Sequence, residues 1–238
     1  MITLFCLPYA GGSIYSYRSF IKDAPPAVKI IPLEYPGRGN RQSEPPLTSM
    51  NEIVEDLLPG IKWRLARPYA LYGHSMGAIA SYLLTKKILE ENLPPPEHLF
   101  VSGAAGPSVT LRHPRVSHLP KEEFFQSIKE MGGSPSEMFG DKLLLDFLEP
   151  VIRPDFHAIE NYVHIRTAPF NIPISAFIGK DEDIGFQEAK KWNEETTSTT
   201  DVHFLDGNHF FIFDKGPQMM KVIYSNLSTS KYGKSPIS

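Results

Sequence analysis

Short apolar runs alternate with amphipathic stretches along most of the chain. The runs fall at residues 2–7, 28–33, 69–72, 99–102, 174–178 and 202–205 and are dominated by Ile, Leu, Val, Phe and Tyr. Runs of this kind suit strands buried on both faces of a sheet. Apolar positions recur at helical spacing over about 50–66, 76–91, 186–195 and 215–227. Strand alternating with helix predicts an α/β protein with a doubly wound, mostly parallel sheet. In such sheets ligands bind beyond the carboxyl ends of the strands. Pro32 marks the end of the second run or a sheet edge, because proline has no N–H for the ladder.

Residues 106–169 break the alternation. They hold no convincing strand and read as helices at 121–131, 141–148 and 155–164, with turns such as Gly132-Gly-Ser-Pro135 between them. Phe124, Phe125, Met131, Met138, Phe139, Leu144 and Phe147 supply apolar surface. This is either a helical insertion packed on the sheet or a lid whose inner face lines an acyl pocket. The expected organisation is one domain over 1–227 with a lid insertion at about 106–169. The polar segment 228–238 lacks periodicity and reads as a flexible tail.

Composition narrows the field. The 238 residues carry 24 Lys plus Arg against 27 Asp plus Glu, a net charge of −3, so no global basic field points to nucleic acid. Cys6 is the single cysteine, which excludes a disulfide framework. No apolar run approaches the length of a membrane span. The first residues run into a strand without a charged and apolar leader. A soluble cytoplasmic protein is expected.

The chemistry centres on Gly73-His-Ser-Met-Gly77, where an apolar strand should turn directly into a helix. In a nucleophile elbow the central serine sits in strained backbone at the tip of such a turn. Ser75 would then project beside a helix N-terminus, with the Met76 N–H free to hold an oxyanion. A serine hydroxyl needs a base, ordinarily a histidine oriented by a carboxylate. Among eight histidines, His209 follows the last strand in a turn able to reach back over Ser75. His74 is adjacent to the serine in sequence and therefore poorly placed as base; packing or hydrogen bonding suits it better. The acid should follow the run at 174–178, where Asp181, Glu182 and Asp183 are consecutive. Asp183 is the first choice, Asp181 the second and Glu182 the third. The loop Pro8-Tyr-Ala-Gly-Gly-Ser13 should supply a second oxyanion donor, for which Ala10 is the choice. A dinucleotide site there is disfavoured because the G-x-G-x-x-G spacing is missing.

These residues resemble the type II thioesterases that accompany nonribosomal peptide and polyketide synthetases, relatives of the medium-chain thioesterase of animal fatty acid synthase. The resemblance runs to about residue 227. It includes Leu7-Pro-Tyr-Ala-Gly-Gly12, Glu34-Tyr-Pro-Gly-Arg-Gly39, Tyr72-Gly-His-Ser-Met-Gly-Ala78, Val116-Ser-His-Leu-Pro120, Met131-Gly-Gly-Ser-Pro135, Arg153-Pro-Asp-Phe156 and Asn208-His-Phe-Phe211. It implies an α/β-hydrolase fold and hydrolysis of acyl groups from the phosphopantetheine arm of carrier domains. It implies no metal or organic cofactor, and a monomer is expected. Two positions depart from the family pattern. Asn208 stands where the family has Gly, and Asn tolerates left-handed backbone. The family's acid register falls on Glu182, and a one-residue insertion would restore Asp183. Arg112, Arg115 and Lys121 form a carboxylate-free stretch that could steer an acidic carrier domain. The competing readings are a free-standing small-molecule esterase and an inactive hydrolase fold that only binds.

Overall fold

Six strands pair side by side, all parallel. The computed structural model describes residues 1–109, 114–131 and 141–229. The strands are β1 (Ile2–Leu7), β2 (Val28–Pro32), β3 (Tyr69–His74), β4 (Leu99–Ser102), β5 (Ile174–Gly179) and β6 (Thr200–Leu205), in the order β2-β1-β3-β4-β5-β6. The main helices are α1 (Arg18–Asp23), α2 (Met50–Ile61), α3 (Met76–Glu90), α4 (Lys121–Glu130), α5 (Lys142–Glu160), α6 (Phe186–Ala189) and α7 (Ile212–Thr229). Every residue of β3, β4 and β5 is buried, whereas β2 and β6 are partly exposed edges, and Pro32 ends one of them.

Alternation along the strands divides the core in two. Phe5, Leu7, Leu71, Leu99, Val101 and Ile174 join the buried faces of α2 and α3. Leu4, Cys6, Ala70, Tyr72, Phe100 and Phe177 point the other way and pack with α1 and α7. Burial of α2 at Met50, Ile53, Val54, Leu57, Leu58 and Ile61 follows its helical stripe.

The insertion differs from its expected outline. Residues 142–160 form one helix where two are expected, at 141–148 and 155–164. Pro150 and Pro154 lie within it. They are four residues apart, so both interrupt hydrogen bonds on one face and leave the other intact. Asp141 caps its start, accepting from the N–H groups of Leu143 and Leu144 at 3.0 and 3.1 Å. Ile152 joins Val116, Phe124, Phe125 and Ile128 in a third apolar cluster beneath α4 and α5. Leu144 and Phe147 are 37% and 72% exposed, so they do not serve that cluster as core. Gly132 to Pro135, Met138 and Phe139 lie outside the described residues, as does Arg112. Lys121, expected in a free basic stretch, pairs instead with Asp146 and with Glu149. The structure also adds α1, and α7 reaches Thr229, two residues into the expected tail.

Candidate active site

β3 delivers the elbow. Its last residue pairs with Ser102 of β4, and the Ser75 N–H donates to the Ser102 carbonyl at 2.8 Å. Ser75 then adopts φ 56° and ψ −119°, a conformation non-glycine residues rarely take. The glycines on either side make the turn possible. A Cβ on Gly73 would lie 1.9 Å from the Gly77 carbonyl oxygen, and one on Gly77 would lie 2.1 Å from that of Leu7. The second contact shows how tightly the start of α3 abuts the loop after β1, which is the loop holding Ala10. Neither the Ala10 nor the Met76 N–H donates a hydrogen bond among the described residues.

The loops after β5 and β6 meet because their strands are neighbours. A Cβ on Gly179 would lie 2.5 Å from the Gly207 carbonyl oxygen, so glycine is required for this approach. Gly207 takes φ +126°, so the left-handed residue is Gly207 and not Asn208. Asn208 instead accepts the Phe210 N–H on its Oδ1 at 3.0 Å, closing the turn that carries His209.

Glu182 is the carboxylate on His209. Its Oε1 lies 2.6 Å from His209 Nδ1, and its side chain is only 3% exposed. The first choice, Asp183, is thereby corrected, and so is Asp181; both are exposed. The turn decides this. The Asp181 N–H donates to the Gly207 carbonyl and the Glu182 N–H to the Gly179 carbonyl, both at 3.1 Å, which folds residue 182 back toward the sheet. The extra methylene of glutamate lets Oε2 accept the Gly179 N–H at 2.6 Å while Oε1 reaches the imidazole. A carboxylate can only accept, so Nδ1 carries the proton and the Nε2 lone pair is left open.

His209 reaches the elbow through its neighbours. Its ring centroid lies 4.9 Å from that of His74. A Cβ on Gly103 would lie 2.5 Å from His74 Cε1 and 3.1 Å from His209 Cε1. No hydrogen bond joins Ser75 Oγ to His209 among the described residues. In hydrolases without bound substrate such bonds are often long. His74 is fully buried, with Nδ1 2.9 Å from Ser102 Oγ, which in turn lies 2.7 Å from the Tyr72 hydroxyl. Burial, reinforced by the nearby His209, holds His74 well below the usual histidine range and therefore neutral. Tyr9 packs edge-on against both His74 and Phe210. Sequence reading does not single out Phe210 as a wall of the site, although it directly follows the histidine. Among the described residues no cluster of His, Cys, Asp and Glu could hold a metal ion.

A family model described as a thioesterase domain matches residues 2–227. The chain belongs to the thioesterase family. It is 33% identical over 227 residues to the gramicidin S biosynthesis protein GrsT of Aneurinibacillus migulanus, covering 95% of this chain and 89% of that protein. Among solved structures, ClbQ from the colibactin NRPS/PKS pathway superposes with a TM-score of 0.90 at 30% identity, covering 96% of this chain and 97% of ClbQ. The type II thioesterase BorB from the borrelidin biosynthetic cluster gives a TM-score of 0.87 at 30% identity, covering 95% and 92%. The fold of this thioesterase is accordingly that of the α/β-hydrolases. No helix among its described residues is long and apolar enough to cross a membrane.

Proposed function

We propose that this chain is a type II thioesterase that clears acyl groups from the phosphopantetheine thiol of carrier domains in nonribosomal peptide or polyketide synthesis. The observation that carries the chemistry is the part-buried Glu182–His209 pair, packed on His74 of an elbow whose serine is held at φ 56°. The substrate class rests on the relatives, which include proteins of gramicidin S, borrelidin and colibactin biosynthesis.

His209 Nε2 takes the Ser75 proton as Oγ bonds to the thioester carbonyl carbon. The carbonyl oxygen becomes an oxyanion, held by the N–H groups of Met76 and Ala10. Collapse breaks the C–S bond, and His209 returns its proton to the departing thiolate. Water, deprotonated by the same nitrogen, attacks the acyl-serine carbonyl; collapse breaks the bond to Ser75 Oγ, His209 returns the proton to that oxygen, and a carboxylic acid leaves. Glu182 holds the imidazole in the required tautomer and stabilises the imidazolium that forms twice per cycle. A neutral His74 against the ring leaves that imidazolium free of a second positive charge. Helices α4 and α5 serve as the lid over this site. The enzyme acts as a cytoplasmic monomer and needs no cofactor beyond the arm its partner brings.

Comparison of kcat/KM on an acylated carrier protein, the matching acyl-CoA and a simple ester tests the substrate assignment. Preference for the carrier is expected. Efficient ester turnover with no gain from thioester or carrier would identify a small-molecule esterase instead.

A further inference from the structure

The Arg38–Asp155 pair lies outside the triad and is more deeply buried than His209, the two residues being 5% and 0% exposed. Arg38 comes from the loop after β2 and Asp155 from the interior of α5. Arg38 Nη2 donates to Asp155 Oδ1 at 2.6 Å and Nη1 to Oδ2 at 2.5 Å. The pair does not end on itself. Asp155 Oδ2 also accepts the Gly11 N–H at 2.7 Å, and Arg38 Nη1 also donates to the Gly12 carbonyl at 3.1 Å. Both outward bonds therefore converge on the loop that holds Ala10.

The same loop is gripped from its other end. The Tyr35 hydroxyl donates to the Pro8 carbonyl at 3.0 Å, and the Arg38 guanidinium lies over the Tyr35 ring at 5.1 Å. Peptide planes before and after the one containing the Ala10 N–H are thus fixed by side chains. The Ala10 plane itself is held by its carbonyl half, because the Tyr9 oxygen accepts the Gly12 N–H at 2.8 Å. In a trans peptide the N–H opposes the C=O, so the Ala10 N–H points away from Gly12. Gly11 takes φ +78°, and a Cβ there would lie 2.7 Å from Ile152 Cγ1, so α5 packs directly on this peptide.

We infer that Asp155, with Arg38 as its partner, is a positioning residue that fixes the Ala10 N–H as an oxyanion donor and so couples the seating of α5 to catalysis. A buried ion pair contributes little net stability compared with apolar side chains of similar volume. Its contribution here is the direction it gives to two backbone groups. The inference rests on the proposed serine mechanism and deepens it.

Full-length Asp155→Asn and the charge-neutral pair Arg38→Met/Asp155→Leu are to be compared with wild type and Ser75→Ala on an acylated carrier protein. An alkylboronic acid, whose tetrahedral serine adduct occupies the oxyanion position, serves as probe. The expected result is a loss of about tenfold to a hundredfold in kcat and in boronate affinity, with KM within about twofold. Folded variants that keep wild-type kcat, or that change only KM, overturn the inference while inactive Ser75→Ala leaves the mechanism standing. Active Ser75→Ala overturns the mechanism itself. Amide exchange in the wild-type protein decides the point where the variants fail to fold. Slow exchange at Gly11 beside fast exchange at Ala10 is expected, and a Gly11 amide as fast as an open loop overturns the anchor.

Discussion

Glu182 accepts two hydrogen bonds at 2.6 Å, one from His209 Nδ1 and one from the Gly179 N–H. The first sets the imidazole tautomer and the second sets the carboxylate. Glu182→Gln replaces one acceptor by a donor and offers the imidazole the wrong partner. A loss of about a thousandfold or more in kcat is expected, in line with loss of a triad carboxylate. Asp183→Asn, at an exposed position, should stay within a few-fold of wild type. Steady-state kinetics on one acyl thioester separates the two; the reverse ranking would return the acid to Asp183.

That ranking also marks the limit of what the chain's pattern reveals. The four central strands are legible because burial on both faces leaves nearly continuous apolar runs, as in Leu99–Ser102. The positions of Ser75 in a strand-to-helix turn and of His209 in the loop after the last strand are legible because such places have few alternatives in a parallel sheet. The choice among three adjacent carboxylates is not legible. It depends on which backbone groups close the turn, here the Gly207 and Gly179 carbonyls. The length of α5 is hidden by Pro150 and Pro154, which read as breaks until the contacts of Ile152 and Asp155 on its buried side are seen. The Arg38–Asp155 pair joins residues far apart in sequence, and periodicity carries no trace of such a contact.

Two glycines offer opposite outcomes for the same substitution. A Cβ on Gly60 in α2 meets nothing within 4 Å. Gly60→Ala should therefore raise stability by about 0.5–1 kcal/mol through reduced unfolded-state entropy and better helix propensity. A Cβ on Gly77 meets the Leu7 carbonyl at 2.1 Å. Gly77→Ala should lower the melting temperature by roughly 10 °C, given about 2–4 °C per kcal/mol for a chain of this size. Thermal unfolding of both variants checks the elbow packing, and equal Tm values would contradict it.

His98 gives stability a pH dependence away from the site. It is buried against Ser175, with Nε2 2.9 Å from Ser175 Oγ, and burial pushes it down to about 3. The unfolded chain protonates this histidine near pH 6.5 and the folded one does not. Its contribution is therefore fully present above about pH 6.5 and is lost as pH falls toward 3. At pH 5 the loss is about 2 kcal/mol from this residue alone. Urea unfolding at pH 7 and pH 5 should show a smaller drop for His98→Gln than for wild type, by about that amount. An identical drop would show that His98 is charged in the folded state.

The central claim is that Ser75 carries the acyl group between carrier and water. The most direct measurement is hydrolysis of an acetylated carrier protein by folded wild-type enzyme and folded Ser75→Ala, followed by intact mass of the carrier. Wild type should return the free thiol form within minutes. Ser75→Ala should be slower by several orders of magnitude, as for loss of a triad nucleophile. Near-normal deacylation by Ser75→Ala would contradict the account.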